Sequence, residues 1–228
     1  MNTVNSEVAE EKYKSQKYLG EKGLIVLIAF LSAFIPLSTD LYLPALPRMA
    51  EYFKAAPSLI NLTVILFFIF YAAGSLFWGP LSDKYGRKPV LLIGLVIYTA
   101  ASTLCVFSGN VYQLIGFRII QAIASGAATA IAQAIVKDSY SGEKRVAVLA
   151  LVSSMTMISP IVAPVVGALI LKFTSWRGVF LVLAIIGLLI TLATIVMEET
   201  IDQRSTGSIR QSLGRLVVVA RNPGFMPL

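Results

Sequence analysis

The chain has 228 residues, of which 57% are hydrophobic and only 14% charged, with a mean hydropathy of +0.78. Soluble domains carry about 25% charged residues, so this composition excludes a soluble globular protein and describes a polytopic membrane protein. The net charge of +7 does not mark a nucleic-acid partner, because the basic residues cluster between long apolar runs, and the absence of His excludes a His general base and most zinc sites.

A polar tail, residues 1–22, comes first, with no cleavable signal peptide visible in it. A spanning helix needs about 20 mostly apolar residues. Six such runs follow: Leu24–Leu46, Leu59–Phe77, Pro89–Phe107, Tyr112–Val136, Val146–Leu171 and Gly178–Met197. Residues 23–198 therefore read as an all-α bundle of six transmembrane helices. The lone Cys105 lies inside the third run, which leaves no intrachain disulfide to form. Trp78 and Trp176 fall at span ends, where aromatic belts are expected. From Thr200 the chain turns polar, and residues 199–228 read as a cytoplasmic linker. Within it Ile209, Leu213, Leu216 and Val217, interleaved with Arg210, Arg215 and Arg221, suit an amphipathic helix at the interface; a partly ordered linker fits as well.

Fourteen of the nineteen lysines and arginines fall in the tail, the 2–3 loop, the 4–5 loop and the segment after span six. Four lie on the other side: Arg48, Lys54, Lys172 and Arg177. The positive-inside rule places both termini in the cytoplasm.

Two charges remain deep inside apolar runs, Asp40 and Arg118. A charge at the bilayer centre costs about 2.5–3.5 kcal/mol on insertion scales, so each is a functional candidate by default. Asp40 reads as a titratable carboxylate that binds and releases a proton; the alternative is a structural hydrogen-bonding residue near the outer end of span one. Arg118 reads as its electrostatic partner; the alternative is a clamp on backbone carbonyls. Gln121, one turn on from Arg118, shares its face, and Gln133 is a further candidate to line a cavity. The aromatics Tyr42, Phe67, Phe68, Phe70, Tyr71 and Phe77 are candidates for a substrate pocket, or for packing against lipid and neighbouring helices.

The 2–3 loop reads Gly79-Pro80-Leu81-Ser82-Asp83-Lys84-Tyr85-Gly86-Arg87-Lys88. Gly79 and Pro80 are expected to end the second helix. Asp83 is expected to cap or pair near the next helix start, where an acid is favoured. Gly86 permits a tight turn, and Arg87 and Lys88 are expected at the headgroups. This run resembles the 2–3 loop signature of the major facilitator superfamily, G-x-L-x-D-x-x-G-R-K, at every fixed position. In that family the loop is a latch between two six-helix halves during alternating access.

Three further stretches resemble the drug:proton antiporter branch. The run Pro36 to Pro47, P-L-S-T-D-L-Y-L-P-A-L-P, is similar to the first-span motif of its bicyclomycin-resistance type. Phe117 to Ala122, F-R-I-I-Q-A, resembles the fourth-span motif R-x-x-Q-G, with Ala122 for Gly. Ala163 to Ala168, A-P-V-V-G-A, resembles the fifth-span antiporter motif G-P-x-x-G-G, with Ala at two Gly positions. The resemblance implies proton-coupled efflux of a small hydrophobic or cationic drug-like substrate across a bacterial inner membrane. It assigns proton coupling to Asp40 and Arg118 and the substrate cavity to Tyr42, Gln121 and Gln133. The latch falls to Gly79, Asp83, Gly86, Arg87 and Lys88, and the bent fifth span to Pro160, Pro164 and Gly167. It implies protons, lipid and a C-terminal six-helix half as partners, with no metal, cofactor or nucleic acid.

Other classes fare less well. An ATP-driven pump needs a G-x-x-x-x-G-K-[ST] loop, and none is present. An enzyme is unsupported without His, a G-x-S-x-G elbow or a second buried acid. A non-transporting half-length protein and an uptake carrier of the same superfamily are the remaining alternatives.

Overall fold

The computed structural model describes residues 16–201, and the amphipathic helix expected after Thr200 lies outside them. The described chain is helical, and all six expected spans are present. Span one is broken into α1 (Gly20–Ser32), α2 (Phe34–Asp40), a 3-10 turn (Leu43–Ala45) and α3 (Leu46–Phe53). The others are single helices: α4 (Pro57–Tyr85), α5 (Arg87–Val106), α6 (Val111–Ser139), α7 (Gly142–Phe173) and α8 (Trp176–Val196).

The prolines explain the broken first span. Pro36 has no N–H to donate, and its ring crowds the carbonyl four residues back, so the helix interrupts at Ala33. Pro44 and Pro47 sit in the first turns of the 3-10 segment and α3, where a missing N–H leaves no bond unmade. Polar side chains stitch the interrupted stretch: Ser38 Oγ donates to Phe34 O (2.7 Å) and Thr39 Oγ1 to Ile35 O (3.0 Å). At the start of α6, Asn110 accepts from Gln113 N (2.9 Å) while Gln113 Oε1 accepts from Gly109 N (3.0 Å). This reciprocal cap fixes where span four begins.

Gly79 and Pro80 do not end span two. The helix continues to Tyr85, because an internal proline removes one ladder bond and the five residues beyond it still form theirs. The corner is Gly86 alone, at φ +107°, a backbone region closed to side-chain-bearing residues.

α6 is the hub of the bundle, packed against α4, α5 and α1. Lipid gives apolar side chains no reason to leave it, so close helix packing carries association. Small residues provide that closeness: a Cβ on Gly126 would meet Ser75 N at 2.5 Å, and one on Gly74 would meet Ile123 O at the same distance. α4 and α7, by contrast, leave most of their surface uncovered. Both tryptophans are buried rather than in belts. Trp78 Nε1 donates to Ile123 O (2.7 Å), and Trp176 stacks among Tyr52, Phe53 and Phe180.

Candidate functional site

Arg118 is completely buried in α6 and forms no ion pair among the described residues. Its Nη1 donates to Gln121 Oε1 (2.8 Å) and to Ser38 O (3.2 Å). Its guanidinium carbon lies 4.4 Å from the Tyr42 ring centre and 4.2 Å from that of Phe67, with Phe180 at 5.9 Å. An unpaired buried charge is expensive. Desolvated cation–π contacts each return about 2 kcal/mol, and the two close rings here replace an absent carboxylate. Nε and Nη2 have no hydrogen-bond partner.

The network continues outward from there. Gln121 Nε2 donates to Ser102 Oγ (2.6 Å), which donates to Tyr98 O (2.8 Å). The Tyr98 hydroxyl reaches Ser38 Oγ at 2.6 Å, and Tyr42 OH reaches Thr63 Oγ1 at 2.6 Å. Of the expected cavity group, Tyr42 and Gln121 therefore come together, around Arg118 of the expected coupling pair. Phe67, Ser38, Tyr98 and Ser102 complete the cluster; only Phe67 stood out in the sequence, as one aromatic among six.

Asp40 ends α2 and is half-buried; its Oδ1 accepts from Thr39 Oγ1 (3.2 Å), and it makes no ion pair with Arg118. The link between the two is indirect: Arg118 holds the carbonyl of Ser38, two residues before Asp40, in the same broken segment. Gln133 stands apart, in a cavity lined by Ser32 at the end of α1, the last turns of α6 and the first half of α7. In α7, Pro160 and Pro164 lie inside the helix, and Gly167 is buried against the Leu41 backbone. A side chain at Gly167 would collide with that backbone, so this glycine lets spans one and five touch beside Asp40.

At the corner between α4 and α5, Arg87 turns inward instead of reaching the headgroups and is only 5% exposed. Its guanidinium pairs with Asp83 and with Asp138 (2.8 Å), and donates to Ser82 Oγ (2.7 Å). Lys88 Nζ donates to Ile195 O (2.8 Å). The Glu199 carboxylate sits on the first turn of α5, accepting from Arg87 N (2.9 Å) and Lys88 N (3.3 Å) beside Gly86. Three spans are joined here, α4, α5 and α6, together with the segment leaving α8. Asp138 and Glu199 carry this junction and were not singled out in the sequence, where each looks like an ordinary loop acid at a span end.

The family model of the Major Facilitator Superfamily matches residues 28–226. The chain belongs to the major facilitator superfamily. It is 32% identical over 209 residues to the uncharacterised MFS-type transporter YdgK of Bacillus subtilis, covering 90% of this chain and 52% of that one. It is 29% identical over 199 residues to a bicyclomycin resistance protein homolog of Haemophilus influenzae (87% and 49% covered). Multidrug resistance protein MdtL of Salmonella paratyphi C is 32% identical over 166 residues (72% and 42% covered). The chain thus spans about half the length of the curated relatives it matches, and these carry the names of transporters and resistance proteins, not of enzymes. Among solved structures, the proton:xylose symporter XylE has a TM-score of 0.68 at 16% identity, covering 78% of this chain and 44% of that one. A bacterial homolog of the human lysosomal transporter Spinster, inward-facing, scores 0.68 at 18% (86% and 46% covered). At these identities the likeness is one of fold.

Proposed function

We propose that this chain is the N-terminal half of a drug:proton antiporter that works by alternating access in a bacterial inner membrane, with both termini cytoplasmic. The observation that carries the reading is the geometry around Arg118. A wholly buried cation is held by neutral partners and grips the backbone of the segment that bears Asp40. Among the described residues Asp40 has no counter-ion, so its charge state is set by protons and solute and not locked by a neighbour. Protonation removes the charge at the end of α2, and α2, interrupted at both ends, is the element able to answer.

The relatives named for bicyclomycin and multidrug resistance support efflux of small drug-like solutes. The junction at Arg87 supports the latch role of Asp83, Gly86, Arg87 and Lys88, since it ties four segments at the face where a second half would rock. The sparsely covered α4 and α7 support docking of that half, because substrate sites in this architecture lie between repeats. Gly167, packed on Leu41, supports a role for the fifth-span motif in keeping the outer end of the half tight to protons.

The test is an efflux panel in a transport-deficient host with the full-length protein. Gradient-dependent loss of at least one drug from loaded cells is expected, abolished by a protonophore. Uptake of solute, or efflux indifferent to the protonophore, would refute the reading. A reporter fused after Ser108 should lie outside and one after Tyr140 inside; the reverse would refute the orientation.

A further inference from the structure

The cavity that holds Gln133 differs in character from the site around Arg118. It has a volume of about 550 Å³ and is bounded by α1, α6 and α7, within the 300–1,000 Å³ typical of small-molecule pockets. Thr129, Gln133 and Lys137 enter it from α6 at a spacing of four, so they form one polar ridge. Arg145 and Thr156 face them from α7, and Ser32 from α1.

Its electrostatics are one-sided. Among the described residues no Asp or Glu lines the cavity, while Lys137 and Arg145 do. Basic residues are expected at cytoplasmic span ends for insertion alone, but the neighbours are otherwise engaged. Arg87 pairs with Asp83 and Asp138, Lys144 with Glu21, and Lys88 with the Ile195 carbonyl. Lys137 and Arg145 form no ion pair among the described residues, although Asp138 and Glu143 adjoin them in sequence. A second observation points to a ligand. The hydroxyls of Ser32, 7% exposed, and of Thr129 are buried with no hydrogen-bond partner. Buried polar groups in native proteins are rarely left unmet without a reason.

We propose that this cavity is the cytoplasmic-side substrate subsite and that it selects organic anions, aromatic or amphiphilic solutes bearing a carboxylate or sulfonate, over cations. The inference rests on the efflux reading above and narrows the hydrophobic or cationic substrates that the sequence resemblance implies, replacing the cations among them by anions. Lys137 and Arg145 attract the anion at the mouth, and Ser32, Thr129 and Gln133 donate hydrogen bonds to its oxygens deeper in. A cation meets two like charges and no counter-charge there, which is discrimination by repulsion.

The test uses two probes with the same ring and opposite charge, naphthalene-2-sulfonate and 2-naphthylmethylammonium, titrated calorimetrically into the purified full-length protein. The sulfonate should bind about tenfold tighter than the ammonium. Lys137→Gln with Arg145→Gln should bring the two within about twofold, and raised salt should erase the preference in the unmodified protein, a readout that needs no variant. Equal binding, tighter ammonium binding, binding of neither probe, or a preference indifferent to both salt and the double substitution would overturn the proposal. Its failure is separable from that of the efflux reading: a protein that exports drugs but favours the ammonium loses only the charge assignment. One that favours the sulfonate but exports nothing loses the transport role and keeps the anion site.

Discussion

Replacing Glu199 by Ala should loosen the junction around Arg87 measurably. The carboxylate caps the first turn of α5 through Arg87 N and Lys88 N, and also accepts from Thr200 N and Ile201 N at 3.0 and 3.3 Å. Losing a helix cap costs about 1 kcal/mol, and losing a negative charge at a helix N-terminus costs about 0.3–1 kcal/mol more. The sum, about 1.3–2 kcal/mol, corresponds to about 3–8 °C in melting temperature for a domain of this size. Glu199→Gln keeps an acceptor oxygen and should lose only the charge contribution, roughly a third of the effect. The single cysteine supplies the assay: Cys105 is completely buried, so a thiol-reactive fluorophore reports unfolding directly. Unchanged melting of Glu199→Ala, or equal losses for the Gln and Ala variants, would refute the capping argument.

Asp83→Asn removes one of the two carboxylates on Arg87 and leaves Asp138 in place. It should reduce transport strongly while drug binding to the purified protein stays near normal, and equal loss of both would contradict a latch role. Gly167→Val puts a branched side chain where the Leu41 backbone lies; overpacking of this kind costs about 1–3 kcal/mol. The variant should melt at lower temperature and leak protons, as read by a pH-sensitive dye in vesicles, whereas a proton-tight, normally stable variant would contradict the sealing role.

The six spans were legible because each is a long apolar run of membrane length, and no tertiary contact is needed to recognise it. The boundaries were less so, since helices extend into polar ends such as Ser82–Tyr85, where hydropathy falls but the backbone still bonds. Arg118 and Gln121 stood out by charge and spacing. Their companions did not: Ser38, Ser102 and Tyr98 are ordinary membrane residues until α5 and α6 bring them within hydrogen-bond reach. Glu199 was hidden for a related reason. Its partners are backbone amides 111 and 112 residues earlier, and the charge of a loop acid says nothing about which helix end it will cap. In the sequence Lys137 and Arg145 speak only to topology, and the fold shows them facing one cavity with no ion pair among the described residues.

The most direct test of the account is proton release from the purified full-length protein on addition of a drug the protein exports, with and without Asp40→Asn. The Asn keeps the shape and the hydrogen bond to Thr39 but cannot titrate. Release is expected from the unmodified protein and none from the variant, with drug binding retained. Undiminished release from Asp40→Asn would place the coupling site elsewhere and contradict the role assigned to this acid.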